Sequence, residues 1–530
     1  MALWAYDTPA RGTCAVLASA REVNVARTIC AVWLILAIAG TQVLDADGFN
    51  LPKGPCGSAA PAKPHRRTGG ESFPPLPLPA TPLRRTEKKR PPAPPALIAK
   101  IQLGELKEID HEGETVAYYD WNKDPGDLAM LLNTAGKTLG IRYTHKCGPM
   151  SAFDPDPAQY PIFYFTGSDD FGLSDEEVAH LREFVRNGGT IWGDTCFGDP
   201  DFFKAFSREM MRVLPGRQWR LLAPDHPLFH CFYDVDEVAY TCDVPDVNGS
   251  AGPPVFFGLD QGDRTAVVLS RYDLSCGWDG HVRKGAFSVS PNNARRLGVN
   301  MITYALATHP LALYQSTARI YYEEQERARG DFVFAQAKVT DNWDTQPNAI
   351  ANLLKSVSAG SSAEVKFQRR AVDLTSQELQ QYPFLYMTGL YDFELTDAET
   401  DALRRYLNSG GFLLASPSSG RREFDRAFRH AMERAFPDRP LVRLPAEHPV
   451  YSMLNRVQTV SYTQYCDSVE GEAPELPLEG IELGGTTAVI YSPYGLGGGW
   501  RGFDHPFGRD VACADALKLG VNIVLYGMTH

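Results

Sequence analysis

Beyond residue 96 the apolar positions fall into two alternating patterns. Ile162–Thr166 is a short continuous apolar run, as a strand buried on both faces of a parallel sheet requires. After the loop Gly167–Phe171 comes Ser174-Asp175-Glu176-Glu177. A hydroxyl followed three residues later by Glu predicts a capping box and a helix start. Val178, Leu181, Phe184 and Val185 continue at helical spacing. Asn187-Gly188-Gly189 ends that helix with residues that accept left-handed backbone angles. Thr190-Ile191-Trp192 opens the next strand. Strand, helix and strand at this spacing make a right-handed βαβ unit and a parallel sheet.

The same grammar returns 222 residues later. Tyr160-Pro161…Thr166-Gly167 corresponds to Tyr382-Pro383…Thr388-Gly389, Trp121 to Trp343, and Asp225-His226-Pro227 to Glu447-His448-Pro449. Gly277-Trp278 corresponds to Gly499-Trp500, and Leu297–Asn300 to Leu519–Asn522. From Tyr160 to Gly198, 15 of 39 positions are identical to their partners, which is too regular for chance and too long-range for a solenoid. The expectation is one constant register through two α/β domains, copy one over 97–315 and copy two over 316–530.

The segment before them differs. Ile29–Leu44 is apolar, with Arg21 and Arg27 before it and small residues after. This reads as a secretory signal over residues 1–46, too short for an ordinary span, with a membrane tether through 29–44 as the alternative. Residues 47–96 form a linker. Thirteen prolines among residues 51–96 predict an extended, disordered spacer. An exported protein, periplasmic or extracellular, follows as an expectation.

Composition changes the picture in two places. A net charge of −12 argues against a nucleic-acid partner, which calls for a basic face. Ten cysteines include no CxxC pair, so zinc ribbons and thioredoxin motifs are excluded. Five of them lie between Cys147 and Cys276, so disulfides in an oxidising compartment would fall mainly in copy one. No phosphate-binding loop or HExxH motif occurs, and neither a resident metal nor a cofactor is implied.

The run from Tyr160 to Cys196 (YPIFYFTGSDDFGLSDEEVAHLREFVRNGGTIWGDTC), followed by a helix and PDHPLF, resembles the domain of unknown function 4159 family. That family is similar in fold to class I glutamine amidotransferases. The resemblance implies two flavodoxin-like, three-layer α/β domains and no particular activity.

Chemistry in such sheets sits at the carboxyl ends of the strands. Cys196 follows a strand there and, by the resemblance, takes the place of the amidotransferase nucleophile. The glycine expected two residues before it is Asp194, whose charge would oppose thiolate formation. No His-x-Glu motif follows, and copy two has Ser418 at the matching position. A structural or disulfide-bonded cysteine is the preferred reading. His226 is the nearest candidate base, although the proline after it points instead to a loop entering a strand. Asp169, Asp170 and Asp194 together suit a divalent cation, of which copy two keeps Asp392. The blander use of such carboxylates is to accept backbone N–H groups. Trp278 and Trp500 are candidates for stacking on a sugar, or for packing at a domain edge. Two functions follow: a non-catalytic binding or assembly module of the cell envelope, with an envelope protein or carbohydrate as partner, or a cysteine-dependent hydrolase with a degenerate second domain.

Overall fold

The computed structural model describes residues 94–111, 114–281, 283, 285–317, 332–339, 342–361 and 365–529. The apolar run 29–44 and almost all of the proline-rich stretch therefore lie outside the described residues. Among the described residues no helix is long and apolar enough to cross a membrane. The first strand opens at Ala96, one residue before the expected boundary of copy one.

Copy one runs β1 (Ala96–Ile101), β2 (Leu106–His111), β3 (Glu114–Tyr119), α1 (Asp127–Leu139), β4 (Thr144–Gly148), β5 (Ile162–Gly167), α2 (Asp175–Arg186), β6 (Thr190–Thr195) and α3 (Pro200–Val213). It continues with β7 (Arg220–Leu221), α4 (Pro227–His230), β8 (Val238–Val244), β9 (Gly249–Gly252), β10 (Phe256–Gln261), β11 (Arg264–Ser270), α5 (Ser275–Asp279) and α6 (Pro291–Thr317). Copy two has β12 (Phe332–Ala337), α7 (Ala349–Gly360), β13 (Val365–Val372), β14 (Phe384–Met387), α8 (Asp397–Asn408), β15 (Phe412–Ala415) and α9 (Arg422–Ala435). It ends with β16 (Val442–Arg443), α10 (Gln464–Glu470), β17 (Glu479–Leu483), β18 (Thr486–Tyr491), α11 (Gly497–Arg501) and α12 (Cys513–Thr529).

The two seven-stranded sheets have one topology. Their orders are β4-β1-β5-β6-β11-β10-β7 and β13-β12-β14-β15-β18-β17-β16. The first five strands of each are parallel, and the last two join through antiparallel pairs. Side chains alternate between two apolar layers. Tyr164 and Trp192 pack on the face covered by α1 and α6, whereas Phe163, Phe165 and Ile191 pack under α2 and α3. Both capping boxes form: Glu177 N–H donates to Ser174 Oγ at 3.2 Å while Ser174 N–H donates to Glu177 Oε2 at 2.8 Å, and Thr396 and Glu399 repeat this.

The constant register fails at one place. The hairpin β2–β3 stands between β1 and Trp121 in copy one, but Trp343 follows β12 almost directly. The offset of 222 therefore holds from Trp121 onward and not for the first strand.

Residues 95–530 form one compact unit, and the copies meet at the tip of the β10–β11 turn. There Asp263 reaches Arg501 of copy two.

Candidate functional site

In each copy the carboxyl ends of the central strands surround a polar crevice. In copy one β6 ends at Thr195, and the turn Cys196–Gly198 leads into α3, which Asp199 caps by accepting from Asp201 N–H. The strained residue of this turn is Phe197 (φ 60°), and in copy two it is Ser419 (φ 51°). A nucleophile elbow puts its nucleophile at such a residue. Cys196 instead sits one position earlier, beneath the apex, and is 2% exposed. Gly198 (φ 72°) has to be glycine, since a β-carbon would run into Phe287.

The surroundings of Cys196 hold the thiol in its protonated form. Burial pushes its pKa well up, and the carboxylates of Asp273, Asp194 and Asp124 add to this. The opposition expected from Asp194 is present, but Asp273 contributes more, and sequence reading missed it. Asp273 comes from the loop after β11 and accepts from Phe197 N–H at 2.8 Å and Cys276 N–H at 3.0 Å. Asp194 is a buried cap. It accepts from the N–H groups of Leu274 (2.9 Å) and Ser275 (3.1 Å) and from Tyr164 Oη–H (3.2 Å). Burial, then the neighbouring Asp273, raises its pKa well above the ordinary range.

His226 is not part of this crevice. It caps α4, accepting Leu228 N–H on Nδ1 at 3.1 Å, and its Nε2 meets Thr265 Oγ1 at 3.1 Å. Thr265 opens β11, whereas Ser270 at the other end of that strand pairs with Asp194. Five residues of strand, about 16 Å, separate the two ends. His226 and Cys196 therefore cannot form a catalytic pair. The extended conformation that proline imposes on His226 is there, but it serves a helix N-cap rather than a strand entry. His448 repeats the arrangement with Val450 and Thr487.

The grouping of Asp169 and Asp170 with Asp194 does not form. Asp169 pairs with Lys107 on the surface, Asp170 with Arg208 at 3.0 Å, and Asp392 with Arg426 at 3.7 Å. Trp278 and Trp500 are at most 1% exposed. Their indole N–H groups donate to Ala294 O and Ala516 O at 2.9 Å, so neither ring offers a face to a sugar. Nor is any of the seven described cysteines in a disulfide, so the bridge that was one reading of Cys196 does not form among the described residues.

The crevice of copy one contains carboxylates that the motif search did not find. Asp120 accepts from Ser168 N–H (2.9 Å) and Asp169 N–H (3.1 Å) and pairs with Lys123. Burial works against its ionisation, but Lys123 and these N–H groups hold its pKa below the usual value. Asp124 stands at the centre. One of its oxygens groups with Cys196 Sγ and an Asp273 oxygen, and one with an Asp279 oxygen and a His281 nitrogen; within each group the donor atoms lie within 4.8 Å of one another. The residues come from three separate loops. The only sequence signal was their closeness to Trp121 and Trp278, the fixed points of the repeat.

The crevice of copy two is filled from inside the chain. Asp263, its side chain 0% exposed, forms an ion pair with Arg501 Nη1 (2.8 Å) and accepts from Gln346 Nε2 (2.9 Å), Ser419 Oγ (3.0 Å) and, on its other oxygen, Gln315 Nε2 (2.7 Å). Burial opposes ionisation there, but Arg501 heads the groups that depress its pKa. Asp510 lies in the same crevice with neither carboxylate oxygen hydrogen-bonded, and burial raises its pKa to about 8. Burial lowers that of His505 to about 4. At neutral pH this cluster therefore balances one guanidinium against one carboxylate. A cleft of about 180 Å³ opens beside it, lined in part by Arg264, Gln315 and Gln346.

No curated protein matches the chain. One family model, described as a domain of unknown function (DUF4159), matches residues 105–306 and again 333–528. These two matches take in both crevices and, apart from the first strand of copy one, both sheets, so the chain belongs to the DUF4159 family and carries its domain twice in tandem.

Proposed function

We propose that the chain is a non-catalytic binding or assembly module of the cell envelope, exported through its N-terminal apolar segment and held at a distance by the proline-rich spacer. The observation that carries the non-catalytic part is the state of Cys196. Its thiol is buried, ringed by carboxylates and out of reach of His226, whereas a nucleophile needs a thiolate and a base. Copy two supports the same reading, since Ser418 is spent on a 2.7 Å hydrogen bond with Thr345. The buried tryptophans remove the main argument for carbohydrate, so a protein partner is the better-supported ligand class.

Alkylation of the native protein by iodoacetamide across pH tests the reading. Cys196 is expected to stay unmodified through pH 8.5, the ordinary thiol midpoint. Modification with an apparent pKa near or below 6.5 would overturn it in favour of the hydrolase. Fractionation of cells expressing the tagged chain tests the envelope assignment, which recovery in the cytosol would sink.

A further inference from the structure

The five donor positions grouped around Asp124 are lost together in copy two. Asp124 corresponds to Gln346, Asp279 to Arg501, His281 to Phe503, Cys196 to Ser418 and Asp273 to Gly495. Not one replacement is a carboxylate, thiol or imidazole. Copy two puts a cation of its own there, Arg501, and balances it with Asp263. Copy one has an acid where that cation stands.

A second observation comes from Ser288. It is 1% exposed, and its Oγ has no hydrogen-bond partner. Ser288 and Asp273 are paired across a parallel bridge, so their side chains leave the backbone on the same side. In copy two the corresponding side chain, Asp510, fills the space that a side chain at Gly495 would need. Position 288 therefore directs an unsatisfied polar atom at the buried side of the donor set.

We propose that the crevice of copy one binds a divalent transition-metal ion with Asp124 as the central ligand, His281 and Asp279 donating from the solvent side and Cys196 and Asp273 closing the buried side. The donor chemistry selects the ion: thiol and imidazole beside carboxylates suit zinc and its neighbours rather than magnesium or calcium. Ligands about 2.1 Å from a four- or five-coordinate ion stand about 3.0–3.4 Å apart. Within each of the two triads that share Asp124 the donor atoms lie within 4.8 Å of one another, so each triad needs only a modest closure, and an ion bound at Asp124 draws the two triads together. Arg283 Nη2 approaches Asp124 at 3.4 Å. Its side chain is 47% exposed and free to swing out as the ion enters. The Lys123 ammonium is held by Asp120. The inference goes beyond the binding-module reading and does not depend on it, since the readout is the ion itself.

The experiment is competition for Zn²⁺ between a chromophoric chelator and the full chain, with Mg²⁺ as the control ion. One Zn²⁺ per chain is expected, and no competition by Mg²⁺ at equal concentration. Asp124→Asn should abolish binding. His281→Ala should weaken it at least tenfold, and with a side chain 64% exposed this variant has no reason to misfold. Co²⁺ in place of Zn²⁺ should give a thiolate charge-transfer band that Cys196→Ser removes. Absence of stoichiometric Zn²⁺ binding overturns the proposal. So does an affinity unchanged in both the Asp124 and His281 variants.

Discussion

Asp263 is the test of how the two copies are joined. Its carboxylate is 0% exposed and its partner Arg501 3% exposed, so replacing it strands a buried guanidinium. Breaking a buried pair by removing one partner costs about 3–5 kcal/mol. In this site the cost should be smaller, because a spare acid is present. Asp510 is fully buried, protonated at neutral pH with a pKa of about 8, and Arg501 is the strongest influence pulling that value down. Once Asp263 becomes Asn, Asp510 can ionise and serve as the counter-ion. Asp263→Asn alone should therefore lose only about 2 kcal/mol, Asp510→Asn should lose nothing and gain stability as the pH rises above about 4, and the double variant should lose more than the two single changes summed. The two acids also act oppositely with pH. Asp263, depressed in the folded state, contributes stability above its unfolded pKa near 4 that is lost as pH falls through its folded value. Asp510, raised from 3.8 to about 8, costs stability progressively as pH rises between those values, and Asp510→Asn should flatten that slope. Urea unfolding followed by tryptophan fluorescence reads the Asp510 slope at several pH values between about 5 and 9 and the Asp263 slope between about 5 and 2.5. Strictly additive losses, with coupling below about 0.5 kcal/mol, would show that Asp510 does not stand in for Asp263 and that the charge balance drawn for this crevice is wrong.

Three further outcomes are expected. Cys196→Ala should fold and lose about 1 kcal/mol in urea unfolding; a loss above about 3 kcal/mol would show that more than packing depends on the thiol. His226→Ala removes a helix cap and the Thr265 contact together and should cost about 2–4 kcal/mol, whereas His226→Asn keeps the cap and should lose less. Because burial holds the His226 pKa well below 6.5, the native protein should lose stability as pH falls below 6.5, and His226→Asn should blunt that acid limb in a thermal-shift series. Ser174→Ala and Thr396→Ala should each cost about 0.5–2 kcal/mol, and similar values would confirm that the two capping boxes are equivalent; a zero effect in either would mean the cap is idle.

The parts of the fold that were legible are those set by local patterning. The β5–α2–β6 unit could be read from one buried apolar run, one hydroxyl–Glu pair and one double glycine, because each acts within a few residues of itself. The strained strand-to-helix turn was also legible as a position. Which residue occupies its apex was not, because φ at Phe197 depends on how Phe287 and Asp273 pack against the turn. The Asp225-His226-Pro227 motif was misread for a related reason. An extended residue before proline suits a strand entry and a helix N-cap equally, and only Thr265, 39 residues away, decides between them. Trp278 was equivocal in sequence because a glycine beside an aromatic does not reveal that the indole N–H is already committed to Ala294. Asp263 carried no signal. Apart from Gln315, its partners belong to the other copy, and register within a repeat says nothing about contacts between repeats.

That contact explains why the copies diverged where they did. In a tandem duplication both crevices start out equivalent, but the linkage makes their surroundings unequal. The β10–β11 turn of copy one reaches the crevice of copy two, whereas the corresponding turn of copy two ends in Gly484-Gly485 and carries no side chain to insert. Once a carboxylate from copy one occupied the second crevice, a buried cation opposite it became favourable and further acids unfavourable, since an isolated buried charge costs several kcal/mol while a paired one does not. Arg501 at the position of Asp279, Gln346 at that of Asp124 and Gly495 at that of Asp273 are the substitutions such a rule demands. Asp510, an acid where copy one has Ser288, is kept mostly protonated at neutral pH by its burial. The first crevice received no insert and kept its acids, its imidazole and its thiol. The contacts of Asp263 make the crevice of copy two part of the joint between the copies, and the crevice of copy one is the one we propose to bind.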